Sequence, residues 1–153
     1  MEITIGHVLA ILVIVSMTAL IVSFVLVYKE SLIKKYENSA MKKITTDIAH
    51  TLTTSYVEGH ESEYVPDLNE KVILVRSNMI LPQKIGQSYY SIKINNSEKM
   101  VCSYIKEKEV CSPIIGPPLD FNITSNEIGT KKTLNISYWR ENNNTIIDYI
   151  IID

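Results

Sequence analysis

ITIGHVLAILVIVSMTALIVSFVLVY, residues Ile3–Tyr28, contains no Asp, Glu, Lys or Arg. At ~1.5 Å per residue a helix of this run spans about 39 Å, enough to cross a hydrocarbon core of roughly 30 Å with some tilt. Its Ile, Val and Thr content would suit a strand in water, but strands rarely exceed about ten residues. Length therefore assigns the run to a helix. A helix apolar all round needs lipid or other helices about it, which excludes an ordinary water-soluble monomer. It does not read as a secretory signal peptide, because only Met1 and Glu2 precede it and no A-x-A pattern follows.

Small residues recur inside the run. Gly6 and Ala10 are four apart, as are Ala19 and Ser23, with Ser16 between the pairs. Small-xxx-small spacing lets helix backbones approach closely, so these five are the candidate packing positions; the alternative is the ordinary abundance of Ala and Ser in membrane spans. His7 reads as an interfacial or solvated residue, with no second ligand nearby. Beyond Tyr28, apolar or small residues fall at Leu32, Tyr36, Ala40, Ile44, Ile48, Leu52 and Tyr56, with Ile33, Met41 and Ala49 beside them. That is helical spacing with charges on the other face. No Pro interrupts residues 1–65, and no Gly lies between Gly6 and Gly59. One helix is expected from about Ile3 to about Val57, on the order of 80 Å long, broken by Gly59 and the polar stretch to Pro66. Its amphipathic stripe has two readings, an inner face against the C-terminal domain or a contact with neighbouring copies, and both can hold along different stretches.

From Lys71 the texture changes to short alternating runs separated by turn residues. Expected strands are Val72–Arg76, Tyr89–Ile94, Met100–Ile105, Glu109–Ile114, Leu119–Thr124, Thr133–Trp139 and Thr145–Ile152. Between them lie Pro82, Gly86, Asn95-Asn96, Gly116-Pro117-Pro118, Gly129 and Asn142-Asn143-Asn144. The expected fold is α+β: a long N-terminal helix, apolar then amphipathic, capped by a small antiparallel β-sandwich-like domain. The domain reading is a helix over 1–58, a polar break over 59–70 and a β domain over 71–153.

Cys102 and Cys111 are the only cysteines. With Lys106-Glu107 at a hairpin tip they face each other across two strands at disulfide distance; the alternative is two reduced, buried thiols. An even count and the sequons below favour the bond and an oxidising compartment. Two cysteines without nearby histidines offer too few ligands for a metal. N-x-S/T sequons occur at Asn95, Asn122, Asn135 and Asn143. Strand alternation points Asn122 and Asn135 outward, as surface N-glycans on an exported domain require. A net charge of −2, with Lys and carboxylates interleaved, leaves no footprint for nucleic acid. HExxH, GxSxG, P-loop and GxGxxG motifs are all missing, so neither an enzyme nor a cofactor is expected.

An N-terminal apolar helix extended as an amphipathic stalk and capped by a β domain resembles the lollipop of type IV pilin-like proteins. Leu81–Ile94, LPQKIGQSYYSIKI, looks like a stretch of archaeal pilin-like and archaellin-related proteins, where Leu-Pro, Ile-Gly and Tyr-x-Ile lead into a strand. The resemblance implies a structural subunit of an extracellular filament. Its partners would be copies of itself, the membrane before assembly, and the assembly machinery. Two departures stand out. The family's basic leader ending in Gly is not seen, so the chain reads as a mature form or an uncleaved anchor. Bacterial pilins also place Glu at the fifth mature position, where this chain has Ile5, and Glu2 is the only acid near that end. Lys29, Lys34 and Lys35 beside the run would hold the β domain in the cytoplasm on the positive-inside rule, unless a removed basic leader had outweighed them. The alternatives are a membrane-anchored envelope-binding protein resembling archaellum stator components, and a minor pilin.

Overall fold

The computed structural model describes residues 2–95, 97–114, 127–128 and 133–152. The expected strand Leu119–Thr124, the sequon residue Asn122 and the turn signals Asn96, Gly116-Pro117-Pro118 and Gly129 lie outside the described residues. The fold is α+β. Helix α1 runs Glu2–His60 and is followed by β1 (Lys71–Ile80), β2 (Ser91–Asn95), β3 (Met100–Ile105), β4 (Lys108–Pro113), β5 (Glu127–Ile128), β6 (Thr133–Asn142) and β7 (Ile146–Ile152). All pairings between these strands are antiparallel. They form a three-stranded sheet, β1-β6-β7, and a four-stranded sheet, β4-β3-β2-β5.

The chain forms two compact units that divide between Glu37 and Asn38, inside α1 and well before the element boundary at His60. In the first unit every described side chain from Ile5 to Tyr36 is exposed. In the second, burial begins at Met41, which is why residues 38–60 belong with the sheets. Leu32, Ile33 and Tyr36 are 48%, 42% and 62% exposed, so the amphipathic stripe serves the chain's own core only from Ala40 onward.

Within the second unit, Met41, Ile44, Ile48, Ala49, Leu52 and Tyr56 join one apolar core with residues from both sheets. The four-stranded sheet contributes Ile92, Ile94, Val101 and Ile105; the three-stranded sheet contributes Leu134, Ile136, Tyr138, Ile150 and Ile152. Period-2 alternation explains the selection, since Leu134, Ile136, Tyr138 and Arg140 share one face of β6. Hydroxyl contacts stitch the helix to each sheet. Thr45 and Thr46 lie 2.8 and 3.1 Å from the Ser112 hydroxyl on β4, and Ser55 lies 3.1 Å from that of Ser77 on β1. Small side chains here bring the helix close while leaving buried oxygens satisfied.

The end of α1 is held by a buried arginine. A Cβ on Gly59 would overlap the Tyr138 ring, so glycine is what lets the last helical turn lie against β6. Arg140 donates from Nη2 to the Gly59 carbonyl at 3.3 Å, and from Nη1 to the Ser62 and Tyr64 carbonyls at 2.7 and 2.9 Å. It also grips Asp148 on β7 with Nε and Nη2, at 2.8 and 3.1 Å. Gly59 is in the last turn of the helix, where its carbonyl also accepts from the Ser62 amide, and Ser62 and Tyr64 lie just past the end, where the chain turns away. Asn142 continues the seam, donating from Nδ2 to the Pro66 carbonyl at 2.9 Å and exchanging backbone bonds with Asn69 and Glu70. The polar break is thus pinned to β6 while Glu61 and Glu63 remain exposed.

Burial pushes the Asp148 carboxyl up, but the Arg140 guanidinium and the neighbouring Tyr138 hydroxyl outweigh it and hold the group below its ordinary value. A depressed carboxyl stabilises the fold above its unfolded-state value, and that contribution is lost as pH falls through the lower, folded-state value. Replacing Arg140 with Met should cost about 3 kcal/mol, because it leaves the largely buried Asp148 carboxylate without its guanidinium and takes a donor from three carbonyls. Denaturant unfolding of the full chain in detergent, followed through Trp139, the only Trp, measures this. The stability gap between wild type and Asp148→Asn should shrink as pH drops below the carboxylate range. A gap that stays constant in acid would mean that Asp148 is not the titrating group.

Candidate functional site

The feature with no counterpart inside the chain is the apolar part of α1. Its large hydrophobic side chains from Ile5 to Tyr28 are between 51% (Val22) and 73% (Phe24) exposed, on every side of the helix. A continuous apolar surface of this size marks contact with protein or lipid. By length and composition the helix is able to cross a membrane. Its polar groups are arranged accordingly, with the Ser16 and Thr18 hydroxyls donating to the Leu12 and Ile14 carbonyls at 2.8 Å. Bonding within the helix spares these two hydroxyls from needing solvation in hydrocarbon. Charge returns at Lys29, and Glu30 pairs with Lys34 at 2.6 Å one turn on.

Gly6, Ala10, Ser16, Ala19 and Ser23 all lie exposed on this surface. A Cβ added to Gly6 would meet nothing within 4 Å, so no packing inside the chain accounts for a glycine there.

Cys102 and Cys111 form a disulfide with a Cα–Cα distance of 4.0 Å. They are direct partners on β3 and β4, whose hairpin turns through Lys106-Glu107. Cys102, Glu109 and Cys111 are the one group of potential metal ligands among the described residues, and the bond between the sulfurs removes two of the three.

The sequon asparagines differ in their surroundings. Asn135 is exposed in mid-strand on β6, opposite Asn78, and Asn143 is exposed at the β6–β7 turn. The Asn95 side chain shapes the β2–β3 turn: its Oδ1 accepts from the Ser97 and Glu98 amides, and its Nδ2 donates to Glu98 at 2.9 Å. A glycan on Asn95 would take one of the two Nδ2 hydrogens and so compete with that last bond.

Two grooves flank the buried stretch of the helix, with volumes of about 550 and 440 Å³. Lys43, Asp47 and His50 line the first, and Lys42, Thr46 and His50 the second, on exposed turns of α1; the buried Ser112 also lines the second, its hydroxyl already engaged by Thr45 and Thr46. Sequence reasoning missed Arg140. The available signal was its parity with Leu134, Ile136 and Tyr138, which places a guanidinium on the core face, where burial demands partners.

The fold and this surface define the class: an α+β protein whose N-terminal helix is long and apolar enough to cross a membrane. Comparison with protein-family models, curated proteins and solved structures finds no match to this chain.

Reducing Cys102–Cys111 should lower stability by about 2–3 kcal/mol, the chain-entropy value for so short a loop. Thermal unfolding with and without reductant reads this, and mass analysis of unreduced native protein should find no free thiol.

Proposed function

We propose that this chain is the structural subunit of an extracellular filament of the archaeal type IV pilus kind, inserted in a membrane before assembly and then polymerised through its N-terminal helix. The observation that carries the reading is the all-round exposure of Ile5–Tyr28. Such a helix has two environments that satisfy it, lipid and a bundle of its own copies, and a pilin-like subunit uses both in turn. Exchanging lipid for protein recovers little free energy per residue, so extraction needs machinery and the final state is held by packing. Once the filament stands in water, dissociation would expose side chains worth ~1.5–3 kcal/mol each, which makes the fibre durable. The disulfide and the exposed sequons at Asn135 and Asn143 suit an oxidising, exported location.

A second reading is a lone membrane anchor whose β domain binds the cell envelope, as in proteins resembling archaellum stators. The all-round exposure of Ile5–Tyr28 suits it equally, but Lys29, Lys34 and Lys35 count against it, since on the positive-inside rule they would hold the β domain in the cytoplasm unless a removed basic leader had outweighed them. A minor pilin that primes or tips a filament is a variant of the first reading.

Small residues separate the readings. In a filament, Ala10→Phe or Ala19→Phe forces volume into a close-packed interior at ~1–3 kcal/mol per site, repeated in every subunit. In a lone anchor the new ring meets fluid lipid, where Phe is favourable. Both variants are expected to insert normally and to lose most filaments, read as the ratio of sheared extracellular to membrane-bound protein. Wild-type filaments in both variants would remove the packed-core reading, and no filaments from wild type would favour the anchor.

Native protein is also expected to carry glycan on Asn135. Intact mass should exceed that of the polypeptide and fall by one glycan in Asn135→Gln; the bare polypeptide mass would count against export.

A further inference from the structure

Among the described residues, four strands end the two sheets: β1 and β7 in one, β4 and β5 in the other. An end strand offers unpaired backbone groups to any extended chain, and proteins guard such edges with charge, Pro, bulges or brevity. Three of the four are guarded. β1 carries Lys71 and Arg76 and shifts register between Ile73 and Val75. β4 starts at Lys108 and ends at Pro113, and β5 is two residues long.

β7 has none of these devices. Its sequence, IIDYIII, lacks Lys, Arg, Pro and Gly, and it pairs with β6 without a register break from Ile146 to Ile152. Its single charge, Asp148, is held by Arg140 and does not guard the edge. Ile150 and Ile152 face the core, while Ile146 and Ile147 are about half exposed and Ile151 is partly so. Among the described residues, β6 is the only strand paired with β7.

We propose that β7 pairs antiparallel with β7 of a second copy, joining two three-stranded sheets edge to edge. Self-pairing favours a second copy over a foreign strand. Centred on Tyr149, the one register that engages all seven residues sets Ile146 against Ile152, Ile147 against Ile151 and Asp148 against Ile150. Apolar meets apolar on the outer face, and no like charges oppose. The contact is two-fold. A helical polymer grows through heterologous contacts, so a two-fold contact of this kind joins subunits of different filaments and bundles them. A strand-only interface is small and weak singly, but repetition along two polymers multiplies it. The bundling step rests on the filament reading; the pairing of β7 does not.

The test uses full-length protein in detergent micelles and two single variants, Ile147→Cys and Ile151→Cys. Each new thiol faces an isoleucine in its own homodimer, and faces the other thiol only in a mixed pair. Mild oxidation should give a disulfide-linked dimer from the mixture and little from either variant alone. Equal cross-linking in all three samples, or none in the mixture, overturns the pairing, provided both variants keep wild-type Trp139 emission. Ile147→Lys with Ile151→Lys, and Ile147→Glu with Ile151→Glu, form a second pair of variants. Each alone should remain unpaired and mixing should restore dimers; failure to restore them also counts against the proposal. Where wild type yields filaments, the Lys variant should keep them but lose bundles. Loss of filaments from wild type would instead reject the filament reading and leave the cross-linking result standing.

Discussion

Burial of one helix face, from Met41 to Tyr56, is the constraint on which the β region depends. Sheets of three and four strands are each too small to bury both of their faces. They share Ile48, Leu52 and Tyr56 as common ground, together with Ile92 and Val101 from one side and Ile136 and Ile150 from the other. The Ser112 and Ser77 hydroxyls set how closely the helix approaches each sheet. Arg140 then determines where the helix stops, gathering carbonyls from Gly59, Ser62 and Tyr64 so that the chain can turn towards β1. Apolar area drives this assembly, and one guanidinium positions its exit.

Much of this architecture was legible. Met100–Ile105 has the bounds expected from its pattern, because a clean alternation ended by Lys106-Glu107 leaves little choice. β1 runs on to Ile80, past the expected Arg76, since pairing with β6 carries Ser77 and Asn78 along despite their poor strand propensity. The helix reaches His60, slightly beyond the expected end, because close approach to Tyr138 accommodates Gly59 within the last turn. β5, by contrast, has β2 as its one partner among the described residues, and its two residues carry too little pattern to be read locally.

The candidate site was legible in proportion to its length. Twenty-six uncharged residues speak for themselves, whereas a single Arg in a strand looks like surface until parity is counted. The amphipathic stripe shows how spacing misleads. A row at intervals of four drifts about 40° per step on a helix of 3.6 residues per turn. Leu32, Tyr36, Ala40 and Ile44 therefore wind around the cylinder, and no single flat partner covers them all. Ile44, Ile48, Leu52 and Tyr56 keep the same spacing and are all buried, so spacing alone does not separate them from the exposed Leu32 and Tyr36.

The position of the division between the two compact units has a practical side. Excising the β strands at Lys71 would discard Met41, Ile48 and Leu52 and leave the inner faces of both sheets bare, with Arg140 deprived of Gly59, Ser62 and Tyr64. A cut before Asn38 keeps the core and the guanidinium contacts and removes the apolar run along with Leu32, Ile33 and Tyr36. The natural seam for a water-soluble fragment thus lies in the middle of a helix, which runs unbroken through Asn38-Ser39 with no proline to mark it. Element boundaries guide truncation poorly when one helix is shared by two compact units, and the point at which side chains pass from exposed to buried is the better guide.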